Sequence, residues 1–379
     1  MLEKISIDRV SEGQFNHMRE EWNSLLERGV TNEIFLSWEW IHSWWEVFKD
    51  GDKELYILCG KNSSGKTIGI APFYLKRETY FGNLKRNILR FCSSLETYPD
   101  HLDIITTREY EYEFSEAVLF HLIQHNADWD VIKWDGVHEH ATIKKYLTSG
   151  HLKSNGILMT SVPNTSCPYL VIDHTFEGYL KSFSSKKRET LLRKRKILMN
   201  REKAQLKIVH SGEEPEKYIQ ALFALHNERA KQKGIKTTFS GEGVYQFHNK
   251  IIHSLLKDGK VVLAFLYKES EPIASYYCIK HNQKYYYYQA GLSREGEKKS
   301  AGTVLFSLLI ENAFKENFKE FDFLRGNEEY KYFWTENYRK DYSIIIRKDD
   351  FINRITHYSD AIYRCILPPL RKMYKHFLH

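Results

Sequence analysis

The chain has 379 residues, of which 42% are hydrophobic, 28% charged and 15% aromatic, with 8 prolines and 20 glycines. The length suggests two domains of roughly 100–200 residues or one large domain, and the composition argues against a long disordered tail or a collagen-like or linker-rich chain. The formal net charge is +7, and residues 186–203 alone hold nine basic and two acidic side chains, so the remaining sequence is neutral overall.

The first part of the chain predicts a unit that mixes helices and strands. Apolar side chains at helical spacing predict helices over 14–28, 37–48 and 111–125. Alternating or β-branched apolar residues predict strands over 54–60, 67–76, 87–92, 102–106 and 129–136.

A second series of elements begins near residue 175. Its predicted helices cover 176–203, 215–233, 243–257 and 301–317, with a short helix over 327–334. Three strands joined by two tight turns are predicted over 261–291, and further strands over 319–326 and 341–348. The tail at 351–379 predicts an amphipathic helix, interrupted by Pro368 and Pro369, that packs onto the body of the protein.

The two series resemble each other. Each contains a strand of apolar and small residues that returns from a turn, IGIAPFYL at 68–75 and PIASYYCI at 272–279. Each later has a helix followed by a buried strand that ends in glycine, WDVIKWDG at 129–136 and FDFLRG at 321–326. This internal repeat predicts two domains, 1–170 and 171–350, followed by the helical tail.

Residues 60–67 read GKNSSGKT and match the phosphate-binding pattern GxxxxGK[ST] in full. Such a loop binds phosphate where it opens a helix, because the first amides of the helix hold the phosphate. Here the β-branched Ile68 and Ile70 follow, and Pro72 would interrupt a helix. We therefore predict a hairpin turn at this loop and no ATP binding.

The sequence predicts neither a secretory signal nor a disulfide framework. Charges at Glu3, Lys4, Asp8 and Arg9 interrupt the N-terminal region, and no stretch reaches the roughly 18 apolar residues that span a bilayer. The five cysteines are far apart without a CxxC spacing, which argues against a thiolate zinc site. We expect a cytoplasmic protein with no metal and no transmembrane segment.

The basic segment 186–203 has two interpretations. A stripe of Lys and Arg on one helix is either a solvated face or a surface that meets the phosphates of a nucleotide, CoA or tRNA. No helix-turn-helix or zinc-finger pattern accompanies the stripe, so we expect no DNA binding.

The region 285–331 concentrates the residues that predict a site. The helix at 301 begins with small residues after two lysines, and its free N–H groups suit a pyrophosphate, the alternative being an ordinary helix start. The predicted cofactor-binding residues are Lys298, Lys299, Ser300, Ala301, Gly302 and Thr303. The next strand ends in a charged cluster that either orients a polar substrate or forms surface ion pairs, namely Asp322, Arg325, Glu328, Tyr330 and Lys331.

Seven segments, taken in their order along the chain, carry a family resemblance. Four lie in the second series: FEGYLKSFSSKKRETLLRKRKILM at 176–199, LHNERAKQKG at 225–234, the helix start at 300–303 and FDFLRGNEEYKYFW at 321–334. Three lie in the first: FLSWEWIHSWWEVF at 35–48, IGIAPFYL and TYPDHLDII at 97–105. Over about 15–345 the chain thus resembles the CelD/BcsL-like acyltransferases of the GNAT superfamily. The segment EKKSAG departs from the Arg/Gln-x-x-Gly-x-Gly/Ala pattern of simple GNAT enzymes, which affects the expected pyrophosphate contacts.

The resemblance implies an α/β (α+β) fold of two tandem GNAT-like domains, as in the Fem-type peptidyltransferases, each a mixed and largely antiparallel sheet flanked by helices. It also implies transfer of an acyl group from acyl-CoA to an amine. Relatives act on precursors of surface polysaccharide, including amino sugars, which implies the class of acceptor. By that analogy acyl-CoA lies against 171–350 at the segment 298–303. The acceptor, an amino sugar or a nucleotide-linked sugar, lies between the two domains.

Attack on a thioester needs a neutral amine, so we expect a general base and a backbone N–H that binds the oxyanion. Attack is expected to be direct, without a covalent enzyme intermediate. The candidates for the base are Asp100, Asp103 and Glu328. His226 is also considered, but it lies mid-helix beside Leu225, and we expect it to be a structural or packing residue. The predicted substrate-binding residues are Ser93, Ser94, Tyr98, Arg325, Tyr330 and Lys331.

Two other functions compete with this interpretation. The basic helix also suits a Fem-like transferase that takes its acyl group from aminoacyl-tRNA. The third interpretation is a non-catalytic protein of polysaccharide assembly with a degenerate GNAT fold, which would bind no CoA.

Overall fold

The computed structural model describes residues 5–80, 84–149, 156–237 and 239–349. Its strands are β1 Ser6–Arg9, β2 Lys53–Lys61, β3 Thr67–Tyr80, β4 Leu84–Phe91, β5 Ile105–Thr106, β6 Val131–His138, β7 Ile157–Val171, β8 Gln205–Ile208, β9 Val261–Lys268, β10 Glu271–His281, β11 Lys284–Leu292, β12 Glu320–Asp322 and β13 Tyr338–Lys348. Its α-helices are α1 Glu12–Phe15, α2 Arg19–Arg28, α3 Trp38–Phe48, α4 Glu111–Gln124, α5 Thr142–Thr148, α6 Phe176–Ser182, α7 Ser185–Arg195, α8 Glu216–Lys233, α9 Glu242–Lys257, α10 Arg294–Lys298, α11 Ala301–Lys315 and α12 Glu329–Tyr332. The helix predicted over 351–379 lies outside the described residues.

The described strands join into one sheet. Their order is β1-β2-β3-β4-β6-β13-β7-β12-β11-β10-β9-β8, and β5 pairs with β3. Two neighbouring pairs, β4 with β6 and β11 with β12, are parallel, and the other paired strands are antiparallel. This confirms the predicted mixed, largely antiparallel sheet flanked by helices.

The two series share the sheet through β7 and β13. The last strand, β13, pairs with β6 on one side and with β7 on the other, so it lies inside the part of the sheet that the first series builds. The sequence pattern missed β7, because Pro163 and Pro168 interrupt it and proline is rare inside sheets. The register of β7 with β13 shifts where Asp341 faces Thr165 and Tyr342 faces Pro163, so Asn164 of β7 has no partner on β13. The domain boundary at 170/171 stays a prediction.

Two clusters of buried apolar side chains pack the helices onto this sheet. In the larger cluster Trp44 of α3 is fully buried, with its ring centre 4.8 Å from that of Tyr74 on β3. In the smaller cluster Phe306 of α11 packs on Tyr287 of β11 at 4.6 Å. Burying one such ring contributes roughly 1.5–3 kcal/mol, so each contact fixes a helix over its strands. In the described part of the chain, no helix is both long and apolar enough to cross a membrane.

The GKNSSGKT loop forms the predicted hairpin turn. The N–H of Asn62 donates to the Lys66 carbonyl at 3.0 Å, and the Asn62 side chain accepts from the N–H of Lys66 at 2.9 Å. Strand β3 follows at once, so the loop opens no helix. By contrast, the single helix predicted over 176–203 is wrong. It divides into α6, α7 and a π-helical turn at Lys196–Arg201, because Ser184 caps a new start by accepting from the N–H of Lys187.

Candidate active site

A cavity opens where the parallel strands β11 and β12 diverge. Their pairing ends at Tyr286 and Asp322, and the residues that follow on each side, 287–289 and 323–325, line one cavity of about 640 Å³. Two parallel strands that separate in this way expose backbone groups and side chains that a continuous ladder would cover. The geometry of the sheet therefore creates a site at this edge.

The cavity lies between elements of both series. Loop 96–100 of the first series forms one wall, and the others are formed by α8, residues 235–237 and 239, and the side chains of Glu328, Tyr330 and Lys331. The hydroxyl of Tyr288 donates across the cavity edge to the carbonyl of Thr97 at 2.8 Å. Of the predicted site residues, the structure brings six to this cavity: Tyr98, Asp100, Arg325, Glu328, Tyr330 and Lys331.

Asp100 lines the cavity in a buried ion pair with Arg325. The backbone N–H and the Nε of Arg325 donate to the two carboxylate oxygens of Asp100 at 2.8 and 2.6 Å. Burial raises the pKa of Asp100, and the charge of Arg325 opposes this shift. A third donor of Arg325, Nη2, binds the carbonyl of Pro99 at 2.9 Å. Asp100 thus joins the loop of the first series to the end of β12, and its oxygens are occupied by Arg325.

Asp103, Ser93 and Ser94 are not among the described residues that line the cavity. Asp103 is fully buried and accepts from the Thr31 hydroxyl at 2.7 Å and from the N–H groups of Thr142, Ile143 and Ile104. Burial raises the pKa of Asp103 to about 6, and these hydrogen bonds oppose the shift. Because Asp103 binds the first N–H groups of α5, it holds the loop that contains it against this helix. The sequence could not separate this role from that of Asp100, since both follow the same turn.

The turn at 324–331 presents Glu328 to the cavity. Lys331 is buried, and its Nζ donates to the carbonyls of Leu324 and Arg325 and lies 3.1 Å from Oε2 of Glu328. The side chain of Glu328 is 53% exposed. The turn depends on Gly326, whose φ of +122° disfavours any other residue. Glu328 is therefore the predicted carboxylate that a ligand reaches.

A bulge in β11 lies in the cavity wall. On β10, Tyr277 faces Gln289 and Cys278 faces Tyr287, so Tyr288 has no register partner on that strand. A bulge leaves its extra residue outside the hydrogen-bonded ladder. This segment can therefore supply a backbone N–H to a ligand, as an oxyanion site requires.

The predicted pyrophosphate segment forms the start of α11. Ser300 precedes the helix with φ of +57° and makes no side-chain capping bond. The first N–H groups of a helix have no intrahelical partner, and the Ser300 side chain does not bind one of them here. A second cavity of about 790 Å³ lies here, lined by Lys194, Ile197, Glu202, Arg294, Glu295, Lys298, Lys299 and Ser300. Lys299 is paired with Glu202 at 2.5 Å, whereas Lys298 is exposed.

Two tyrosines connect this helix start to the first cavity. The hydroxyl of Tyr276 donates to the carbonyl of Gly302 at 2.8 Å. Its ring packs edge-on against Tyr287, with the ring centres 5.0 Å apart, and Tyr287 lines the cavity of about 640 Å³. These two contacts join the start of α11 to the wall of the first cavity.

Helix α8 brings His226 into the cavity, although its mid-helix position beside Leu225 predicted a packing role. His226, Arg229, Ala230 and Lys233 all line the cavity, at spacings of three, four and seven residues on one helix face. The Nδ1 of His226 lies 2.9 Å from the carbonyl of Ala290, and its Nε2 lies 2.6 Å from the hydroxyl of Thr237. Burial lowers the pKa of His226, and the positive charge of Arg229 acts in the same direction. The polar spacing in LHNERAK is the signal that could have identified this face.

A fully buried charged cluster supports the loop behind Asp100. His101 lies between two carboxylates, with Nδ1 at 2.9 Å from Asp341 and Nε2 at 3.0 Å from Asp322. Burial disfavours the charged ring, but the two carboxylates outweigh it and raise the pKa of His101. The ligand atoms of His101, Cys167 and Asp341 lie within 4.8 Å of one another. An imidazolium has no free lone pair for a metal, so the cluster is better explained as a link between the loop, β12 and β13.

The first series has a similar parallel pair, but its opening is filled. Strands β4 and β6 pair at Ile88–Val131 and Leu89–Ile132. Beyond them Leu102 bridges to Val137, and its N–H donates to the Gly136 carbonyl at 2.7 Å. The helix that follows, α4, has acidic residues in its first turn, which would repel a phosphate. The geometry therefore favours one site, on β11.

Comparison with known proteins agrees with this geometry. Residues 185–332 match the family described as an acetyltransferase (GNAT) domain. The crystal structure of FemX superposes with a TM-score of 0.60 at 10% identity, covering 95% of this chain and 99% of that chain. The structure of L-PGS from Bacillus licheniformis superposes with a TM-score of 0.52 at 12% identity, covering 87% of this chain and 92% of that chain. The structure of the C-terminal domain of a putative lysylphosphatidylglycerol synthetase from Agrobacterium fabrum superposes with a TM-score of 0.52 at 10% identity, covering 93% of this chain and 97% of that chain. No curated protein matches the sequence at a significant level. Residues 185–332 therefore match a GNAT-type acetyltransferase domain, and the fold of the described residues is similar to that of FemX.

Proposed function

We propose that the protein is an N-acyltransferase that moves an acyl group from acyl-CoA to the amine of an amino sugar or sugar nucleotide, a precursor of surface polysaccharide. The observation that carries the proposal is the cavity at the divergence of β11 and β12, with the uncapped start of α11 beside the same strand. The match to a GNAT domain supports acyl transfer. The resemblance to the CelD/BcsL-like acyltransferases supports the class of acceptor.

The donor would lie along β11. Its pyrophosphate would accept from the N–H groups of Ala301, Gly302 and Thr303, where the helix dipole favours negative charge and Lys298 adds a cation. The thioester would reach the bulge at Tyr288, where a backbone N–H would bind the oxyanion as the amine attacks.

The acceptor would occupy the space between loop 96–100 and α8. Arg229, Lys233 and Lys236 line this side and would bind the phosphates of a nucleotide-linked sugar. The ring of Tyr98 is 43% exposed and offers an apolar face to the sugar. The carboxylate of Glu328 would attract the ammonium form of the amine before the amine loses its proton.

A thiol-release screen of several acyl-CoAs against aminodeoxysugar nucleotides tests the proposal. We expect Glu328→Gln to raise the KM for the amine about threefold to tenfold, the ~1 kcal/mol of an ion pair at a half-exposed position. Glu329→Gln, which changes the neighbouring exposed carboxylate outside the cavity, is the control. A loss of kcat of about 100-fold in Glu328→Gln would instead identify Glu328 as the general base. Absence of thiol release with every pair would refute the proposed function.

A Fem-like transferase that uses aminoacyl-tRNA is the second candidate. The observation in its favour is the basic helix α7, whose last turn contains Arg193, Lys194 and Arg195, with Lys194 on the wall of the cavity of about 790 Å³. This function predicts RNase-sensitive activity and no thiol release from CoA esters. Calorimetry with CoA separates the acyl-CoA-dependent enzyme from a non-catalytic protein, which would bind none.

A further inference from the structure

The cavity contains a threonine next to a histidine. Thr237 and His226 both line it, and the Thr237 hydroxyl lies 2.6 Å from Nε2 of His226. On the other side of the ring, Nδ1 lies 2.9 Å from the carbonyl of Ala290 on β11. A hydroxyl, a ring nitrogen and a third group that orients the ring are the arrangement by which proteins activate a hydroxyl.

The Ala290 carbonyl decides which way this pair is polarised. A carbonyl oxygen only accepts, so Nδ1 carries the ring proton and donates it to Ala290. In the neutral ring Nε2 is then a free acceptor, and the Thr237 hydroxyl donates to it. The Thr237 oxygen also accepts from the N–H of Phe239 at 3.0 Å, which leaves its second lone pair for a donor from the cavity.

We propose that Thr237 and His226 form the proton relay for the acceptor amine, an inference that rests on the proposed acyltransferase function. As the amine nitrogen forms its bond to the thioester carbon, its proton passes to the Thr237 oxygen, and the Thr237 proton passes to Nε2 of His226. When the C–S bond breaks, the imidazolium returns a proton through Thr237 to the CoA thiolate. The products are the amide and CoA thiol, and both residues regain their starting states.

The surroundings of His226 keep its ring neutral. Arg229 on the same helix places a positive charge nearby, and burial also lowers the pKa of His226, while the Ala290 carbonyl and Gln289 on β11 raise it. From the loop, Thr237 and the ring of Phe239 complete its contacts. The other charged groups on the cavity wall are Glu96, Asp100, Lys233, Lys236, Arg325, Glu328 and Lys331. A neutral ring at pH 7 is the form that accepts a proton.

Kinetics of hydroxyl variants test the relay. We expect Thr237→Val and His226→Gln to lower kcat by about 100-fold with the KM for the amine changed less than about threefold, and Thr237→Ser to restore most of the rate. The wild type should lose kcat/KM as His226 takes a proton, at a pH lower than the ordinary pKa of a histidine, and His226→Gln should lack this dependence. His253→Gln is the matched control, because the Nδ1 of His253 also bonds a backbone carbonyl, that of Asn249, and His253 does not line the cavity. Thermal midpoints identify any variant that fails to fold.

A second measurement does not depend on turnover. Nitrogen NMR of the wild-type imidazole should show the proton on Nδ1, and Thr237→Val should shift the Nε2 signal. A wild-type kcat in Thr237→Val, a ring protonated on Nε2, or an acyl adduct on Thr237 formed with the donor alone would each overturn the relay. If the wild type releases no thiol with any donor, the proposed function fails whatever the tautomer, so the two failures are distinguishable.

Discussion

Replacing Asp100 with Asn would break the buried ion pair that joins loop 96–100 to the end of β12. Asp100 is 1% exposed and accepts two bonds from Arg325, at 2.8 and 2.6 Å. Removing one partner of a buried pair costs about 3–5 kcal/mol. The side chain of Arg325 is 31% exposed and keeps its bond to Pro99, and Asn retains one acceptor. We therefore expect Asp100→Asn to lower the unfolding free energy by about 2–3 kcal/mol, at or below the lower end of that range.

Urea denaturation of a double-mutant cycle measures this pair. The variants are Asp100→Asn, Arg325→Met and the double substitution, and the coupling between them should be about 2 kcal/mol. Glu12→Gln is the control. Glu12 pairs with Lys49 at 2.8 Å, but the side chains of Lys49 and Glu12 are 43% and 44% exposed, so losing this pair should cost less than about 1 kcal/mol. A coupling below about 0.5 kcal/mol in folded variants would refute the role of this pair in joining the two series.

Three further predictions concern other parts of the chain. Thr303→Asp places a negative charge in the first turn of α11, so it should raise the unfolding free energy by about 0.3–1 kcal/mol. The same charge should weaken CoA binding measured by calorimetry, and an unchanged Kd for CoA would contradict the proposed position of the pyrophosphate. Lys66→Ala should leave the rate of acyl transfer unchanged, because Lys66 lies in a hairpin turn, and a loss of activity would contradict that interpretation. Burial lowers the pKa of His281 to about 4, so below pH 6.5 the unfolded chain binds a proton that the folded protein excludes. Stability should therefore fall by about 1.4 kcal/mol per pH unit between pH 6.5 and 4 from this group, and His281→Gln should reduce the slope by that amount in denaturation series; equal slopes would exclude this contribution.

Local sequence signals were enough for elements whose residues interact with near neighbours. The periodic apolar residues of α11 and the turn residues of GKNSSGKT each determine their own structure, because helix spacing and turn chemistry act within a few positions. The sequence pattern did not predict strand β7, because Pro163 and Pro168 break its alternation of apolar residues. Its pairing with β13 also joins residues that are far apart in sequence.

The sequence by itself therefore determined the class of fold, the helix start at 300–303 and the cluster that includes Arg325 and Glu328. Tertiary structure alone decided which candidates meet: Asp100 reaches Arg325 across 225 positions, whereas Asp103, three residues later, turns to Thr142. It also decided that His226 faces a cavity and Thr237 rather than the core. The physical reason is that strand divergence and helix placement depend on contacts distant along the chain, which no local pattern records.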